Sequence, residues 1–313
     1  MESVRSPSMP TREQLRYVVE NFPIIDNHAH NLILPAYLDT VPFESITSEA
    51  QGRALNDTFK SLPHLRAARQ LRTLYELHDE ADWEDILQQR VEWLRSDPER
   101  MAQRCFQGVH ALLIDDGLAG PEKVYPYRYH DRYTKAPSKR IVRIETVAER
   151  LMESILQDTT EADLDEERYW TDTWITFTEE FEREIQDAIQ DPDVAGFKTV
   201  ICYRSGLDVE PDYEQAAQEV ARPFERYVER CVRKRKYRIE KKPLNDYLVL
   251  RTLEVLSEHT SHRDAMSKPL QLHVRDLHQS LHRVYGVRIS KSTQLVPTLS
   301  RKTFANLPLD RTR

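Results

Sequence analysis

Cysteine is scarce: Cys105, Cys202 and Cys231 are the only three in 313 residues. They are widely spaced, odd in number and outside any metal-binding motif. No disulfide framework or cysteine zinc site is written here, and each thiol reads as reduced and structural, in a cytosolic protein. Long apolar runs are missing too. None approaches the roughly 20 residues a membrane helix needs, so no membrane partner is expected. Residues 1–14 are polar and show no apolar signal-peptide region, which predicts a cytoplasmic location. There is no excess of positive charge. Lys and Arg number 45 against 52 Asp and Glu, net −7, which argues against nonspecific nucleic-acid binding by the chain as a whole. What is present is ordinary for a globular protein: 39% hydrophobic and 31% charged residues, enough for one large domain or two ordinary ones.

The most informative stretch is Asn21-Phe22-Pro23-Ile24-Ile25-Asp26-Asn27-His28-Ala29-His30. A short apolar run with two β-branched residues runs straight into polar ones. That is the pattern of a buried parallel strand reaching a polar mouth, with Pro23 at its opening. Residues two apart on a strand point the same way, so His28 and His30 are expected side by side at its C-terminal end. Two neutral imidazoles on one face can hold one divalent metal; a histidine pair in an ordinary loop is the alternative.

Thr11 to Asn21 reads as a short helix with Thr11 as its N-cap. Residues 32–104 are too long for a simple connection and are helical in composition. Apolar residues fall at three- and four-residue steps from Ser61 to Leu77, and again from Trp83 to Leu94. Asp97-Pro98 marks a break. His64 and His78 inside this insertion read as surface or packing residues.

Further strands are expected at 108–116, 140–145, 194–203 and 268–273. The second ends in Asp115 and Asp116, which are catalytic candidates or caps of the next loop. The loop after it, with Tyr125, Tyr127, Tyr129, Tyr133 and His130, is a pocket wall or an aromatic-pinned loop. Lys198 lies on an apolar strand, where a lysine is costly unless paired or modified. Arg204 can fork onto a substrate carboxylate or serve as a loop cation. Residues 213–232 carry the clearest helical stripe, which Pro223 kinks or divides. The Arg233-Lys234-Arg235-Lys236 run reads as a nuclear-import or phosphate site, or as the charged last turn that the helix dipole favours.

Ile25-Asp26-Asn27-His28-Ala29-His30-Asn31 looks like the first strand of the metal-dependent amidohydrolase superfamily. More narrowly, the chain resembles the amidohydrolase-like N-terminal half of fungal FluG-type developmental proteins. Related pieces are residues 42–50, 113–118, 139–145 and 196–204, and the resemblance covers roughly residues 18 to 273. It implies an α/β fold of the (β/α)8 TIM-barrel type, with a helical insertion after the first strand. It implies hydrolysis of a C–N (amide) bond in a small carboxylated substrate, with a divalent metal, Zn2+ by family habit. It implies His28, His30 and a strand-five His273 as metal ligands, and a carbamylated Lys198 bridging two metals, matched by strand order alone.

After His273 the composition changes. Residues 274–313 carry eight Lys or Arg against two Asp and no Glu, net +6, which leaves −13 for the rest of the −7 total. The glycine-rich turn, strand-six histidine and strand-eight aspartate of the family pattern are absent. The expectation is therefore a barrel domain over 1–273 with about five of eight strands, and a basic, poorly ordered, non-family tail over 274–313. Asp115 and Asp116 are left as the only candidates for the missing proton acceptor. The rival reading is a non-catalytic remnant or a regulatory, interaction protein. Oligomeric state and the particular small-molecule substrate stay open.

Overall fold

A computed structural model describes residues 11–38, 40, 42–48, 50–165, 167–210 and 212–261, and the backbone of 270–272 and 289–291. They fall into two compact units: the described residues up to 112 with 123–138, and residues 113–122 with those from 139 onward.

The first unit opens with α1 (Arg12–Asn21). Thr11 caps it by accepting from Gln14 N at 3.2 Å, while the Gln14 side chain accepts from Thr11 N at 2.9 Å. Pro23 precedes β1 (Ile24–His30), where a missing N–H costs no ladder bond. Ile24 N donates to Gly108 O at 3.4 Å, at the foot of β2 (Val109–Asp115), whose last three residues belong to the second unit. The strand is not buried on both faces as expected. Ile25 is 60% exposed, whereas Ile24, Asp26, His28 and His30 on the other face are half-buried. Among the described residues β1 has one neighbour in the sheet order, β2.

The long insertion is helical, as its periodicity predicts. It runs α2 (Phe43–Ser48), a 3-10 stretch over Gly52–Lys60, α3 (Leu62–Leu74), α4 (Trp83–Ser96) and α5 (Pro98–Cys105). Asp82 caps α4 through Asp85 N at 3.0 Å. Asp97 ends α4 and caps α5 through Arg100 N at 3.0 Å, with Pro98 in the first position, where a proline is tolerated. Ala68, Leu71, Leu74, Tyr75, Ile86 and Trp93 give the insertion a core of its own. His64 is a packing residue, 3.3 Å from Thr47 Oγ1 and with its ring centre 4.3 Å from that of Trp83.

The second unit carries a parallel sheet in chain order. β3 (Lys139–Arg143) pairs with the end of β2, β4 (Val194–Thr199) with β3, β5 (Leu270–Leu272) with β4, and β6 (Ile289–Lys291) with β5. β6 lies in the stretch read as a strandless tail; the alternating Val287-Arg288-Ile289-Ser290 is the pattern passed over there. His273 and the rest of that stretch lie outside the described residues. The helices are α6 (Ile144–Ile155), α7 (Glu167–Gln190), α8 (Tyr213–Glu219), α9 (Ala221–Lys234) and α10 (Lys242–Ser261). The stripe interrupted by Pro223 is divided, at Val220, into α8 and α9. The core is large and aromatic: Phe177, Phe181, Phe197 and Phe224 are fully buried, each contributing about 1.5–3 kcal/mol by leaving water. Arg233 and Lys234 do form the last turn of α9. Arg235 then turns left-handed (φ 49°) and donates to the carbonyls of Leu156 and Thr159 at 2.9 and 3.1 Å.

Candidate functional site

In the first unit, strand alternation puts Ile24, Asp26, His28 and His30 on one face of β1. The His28 and His30 ring centres are 5.5 Å apart, edge to face. Asp26 Oδ1 accepts from His28 N at 3.0 Å. A nitrogen about 2.0–2.1 Å from zinc puts its ring centre roughly 3 Å from the ion, so two rings sharing one ion stand no more than roughly 6 Å apart. The pair lies within that limit. Among the described residues no group of three or more His, Cys, Asp or Glu side chains is placed to hold a metal. The expected third ligand, His273, lies outside them. The tyrosine loop is pinned by aromatic contacts: Tyr125 stacks on Tyr129 at 3.8 Å, and the Arg132 guanidinium lies 3.8 Å over the Tyr129 ring.

In the second unit, charges gather at the C-terminal ends of β2, β3 and β4, where parallel sheets carry their sites. Asp115 ends β2 and is 2% exposed. Lys198 Nζ stands 2.8 Å from its Oδ2. Arg143, which ends β3, donates from Nε to Oδ1 at 3.2 Å and from Nη2 to Oδ2. Gly117 N donates to Oδ1 at 3.3 Å. Gly117 itself has no room for a side chain: a Cβ would lie 2.9 Å from Thr146 Oγ1 and 3.2 Å from Arg143 Cβ. Burial pulls the Lys198 amine below the usual lysine range, and the Asp115 carboxylate opposes that fall. Lys198 is thus ion-paired with Asp115.

Asp116 is paired with Arg140 at 2.8 Å, and each of the two candidate catalytic carboxylates is therefore already engaged by cations. The Arg204 side chain is 5% exposed, is ion-paired with Glu149 and donates to Ile239 O at 2.8 Å. Both of these bonds come from Nη1.

Two members of this cluster carried no assignment in the sequence: Arg143 and Glu145. The signal was available, since both stand at the end of the third strand by the same rule that singled out Asp115. Glu145 is 1% exposed in the first turn of α6. Its Oε1 accepts from Thr199 Oγ1 and from Val200 N at 2.8 Å, while its Oε2 is buried with no hydrogen-bond partner. Burial lifts its carboxyl above the usual range, against the opposing Thr199 bond and Arg204 charge.

This arrangement, parallel strands in chain order joined by helices, is an α/β fold. The chain is similar in fold to the crystal structure described as "putative metal-dependent hydrolase from Lactobacillus casei ATCC 334": TM-score 0.59, 23% identity, 88% of this chain and 69% of that one. In sequence it is 38% identical over 269 residues to Protein fluG of Emericella nidulans, which covers 85% of this chain and 30% of that protein. The chain is thus similar in sequence to one part of Protein fluG and spans less than a third of that protein's length. No protein-family model matches it. Among the described residues no helix is long and apolar enough to cross a membrane.

Proposed function

We propose that the protein is a metal-dependent hydrolase of the amidohydrolase type, acting on the C–N bond of a small carboxylated amide. The observation that carries this is the His28–His30 pair, two imidazoles 5.5 Å apart on one face at the C-terminal end of β1. The fold likeness and the FluG relationship support it. The barrel type is part of the proposal. Among the described residues the pairings from β2 to β6 are all parallel and in chain order, as in a singly wound barrel, whereas a doubly wound sheet reverses its order.

His28 and His30 would hold the ion, zinc by preference for neutral imidazole nitrogen. The resemblance adds His273 to that set, and Lys198 only as a carbamate, since an ammonium does not ligate. A divalent ion, when bound, supplies polarisation of the scissile carbonyl and acidification of a water. The chain's own contribution in the second unit is electrostatic. Arg143 and Lys198 place two cations around the buried Asp115 carboxylate at the ends of β2, β3 and β4.

A second reading, a non-catalytic remnant serving regulation or interaction, is favoured by one observation: Asp115 and Asp116 are both engaged by cations, so neither stands ready to take a proton. Metal analysis and an assay over γ-glutamyl and other carboxylated amides decide between them, with His28→Ala/His30→Ala as control. Metal-dependent turnover lost in the control supports the hydrolase. Equal metal content and equal rates in both proteins support the remnant.

A further inference from the structure

We propose that His130 is the positioning residue for the His28–His30 pair: it clamps the chain where β1 ends. His130 is fully buried. Its Nε2 accepts from Leu32 N at 3.0 Å, two residues beyond His30, and its Nδ1 stands 3.0 Å from Tyr127 O. A backbone N–H must find an acceptor on one nitrogen and a carbonyl a donor on the other. Both demands are met by one neutral tautomer, protonated at Nδ1. Burial favours that neutral form by holding the ring below the usual histidine range.

The clamp is continued on either side by one side-chain bond and by main-chain bonds. Asn31 Nδ2 donates to Tyr125 O at 2.9 Å, Tyr125 N to Leu32 O at 2.8 Å and Leu34 N to Lys123 O at 2.8 Å, and Ile33 bridges Val124 antiparallel. A strand end that carries ligands at alternate positions loses its geometry if it slips or frays. Here the segment that leaves His30 is held over four consecutive residues, 31–34. His130 is the one side chain of the 123–133 loop that reaches the Leu32 amide. Phe106 and Tyr129 pack edge-on against its ring, at 6.2 and 6.0 Å between centres, and fix its plane.

The inference rests on the metal reading above, and the experiment separates the two. Zinc affinity of the full chain is measured by chelator competition for the wild type, His130→Leu, His130→Gln, His28→Ala/His30→Ala and Leu71→Ala. The last variant weakens the core of the same unit without touching the clamp. Each protein is first shown to be folded at the assay temperature by its thermal melt. The glutamine carbonyl can replace Nε2 as acceptor for Leu32 N–H, and leucine cannot. The expected result is a loss of roughly 10- to 100-fold in affinity for His130→Leu, the cost of removing a partner that orients ligands. His130→Gln recovers most of it, and Leu71→Ala leaves it unchanged. Wild-type affinity in His130→Leu, or equal losses in the leucine and glutamine variants, overturns the clamp. If the wild type binds zinc no better than His28→Ala/His30→Ala, the metal reading fails and the clamp falls with it.

Discussion

Arg143 stands opposite Lys198 in the β3–β4 ladder, and both cations reach one carboxylate, Asp115. Three charged groups from three adjacent strands thus share a site where Asp115 and Lys198 are almost wholly buried. Desolvating each is expensive, and only their mutual pairing offsets that cost. The cluster therefore fixes how the ends of β2, β3 and β4 stand relative to each other.

Removing the shared anion leaves two buried cations facing each other. Asp115→Asn is expected to cost about 3–5 kcal/mol, the range for breaking a buried pair by deleting one partner. Lys198→Met keeps the Arg143–Asp115 pair and removes a desolvated amine, so it costs less. Urea unfolding of the two variants tests the order. A greater loss in Lys198→Met would mean that the lysine, not the aspartate, organises the cluster.

Glu145 gives the second unit a pH dependence of predictable sign. Its carboxyl is lifted above the usual 4.5 by burial. A group raised on folding contributes its stability in full below the unfolded value, and that stability is lost as pH rises through the folded value. The wild type should therefore lose stability upward from pH 4.5. Glu145→Gln cannot ionise and keeps an oxygen for Thr199 and Val200. Its stability relative to the wild type should rise across that window, and a difference that stays flat from pH 4.5 to 8 rules the account out.

Elements with strong local patterns were legible and tertiary ones were not. The His28/His30 alternation, the Thr11 cap and the division of residues 213–232 near Pro223 follow from strand period, capping chemistry and a missing N–H. Strand ends were misjudged where long-range contacts decide them. β3 reads as running to Glu145, yet helix α6 starts at Ile144. β4 reads as running to Tyr203, yet it ends at Thr199, where Glu145 takes Thr199 Oγ1 and Val200 N from 54 and 55 residues away. Arg204 illustrates the same limit. An arginine just past a strand reads as open to substrate, and nothing in its neighbourhood of sequence announces that Glu149 will hold it.

That partnership should be measurable. Arg204 donates to both Glu149 and Ile239 O, and Glu149 Oε1 accepts from Ile239 N at 2.8 Å, so the pair ties α6 to the segment before α10. A double-mutant cycle on Arg204→Met and Glu149→Gln is expected to give a coupling of about 1–3 kcal/mol, within the range for residues in one network. A coupling near zero would leave Arg204 available as a substrate ligand after all.

The metal pair offers a test that needs no substrate. An ion that binds the folded state alone stabilises it by mass action, about 2.7 kcal/mol when its free concentration is 100 times Kd. Zinc should therefore raise the melting temperature of the wild type, a chelator should reverse the rise, and His28→Ala/His30→Ala should show none. A melting temperature that zinc leaves unchanged in the wild type, or raises equally in the double variant, would remove the histidine pair from any metal site.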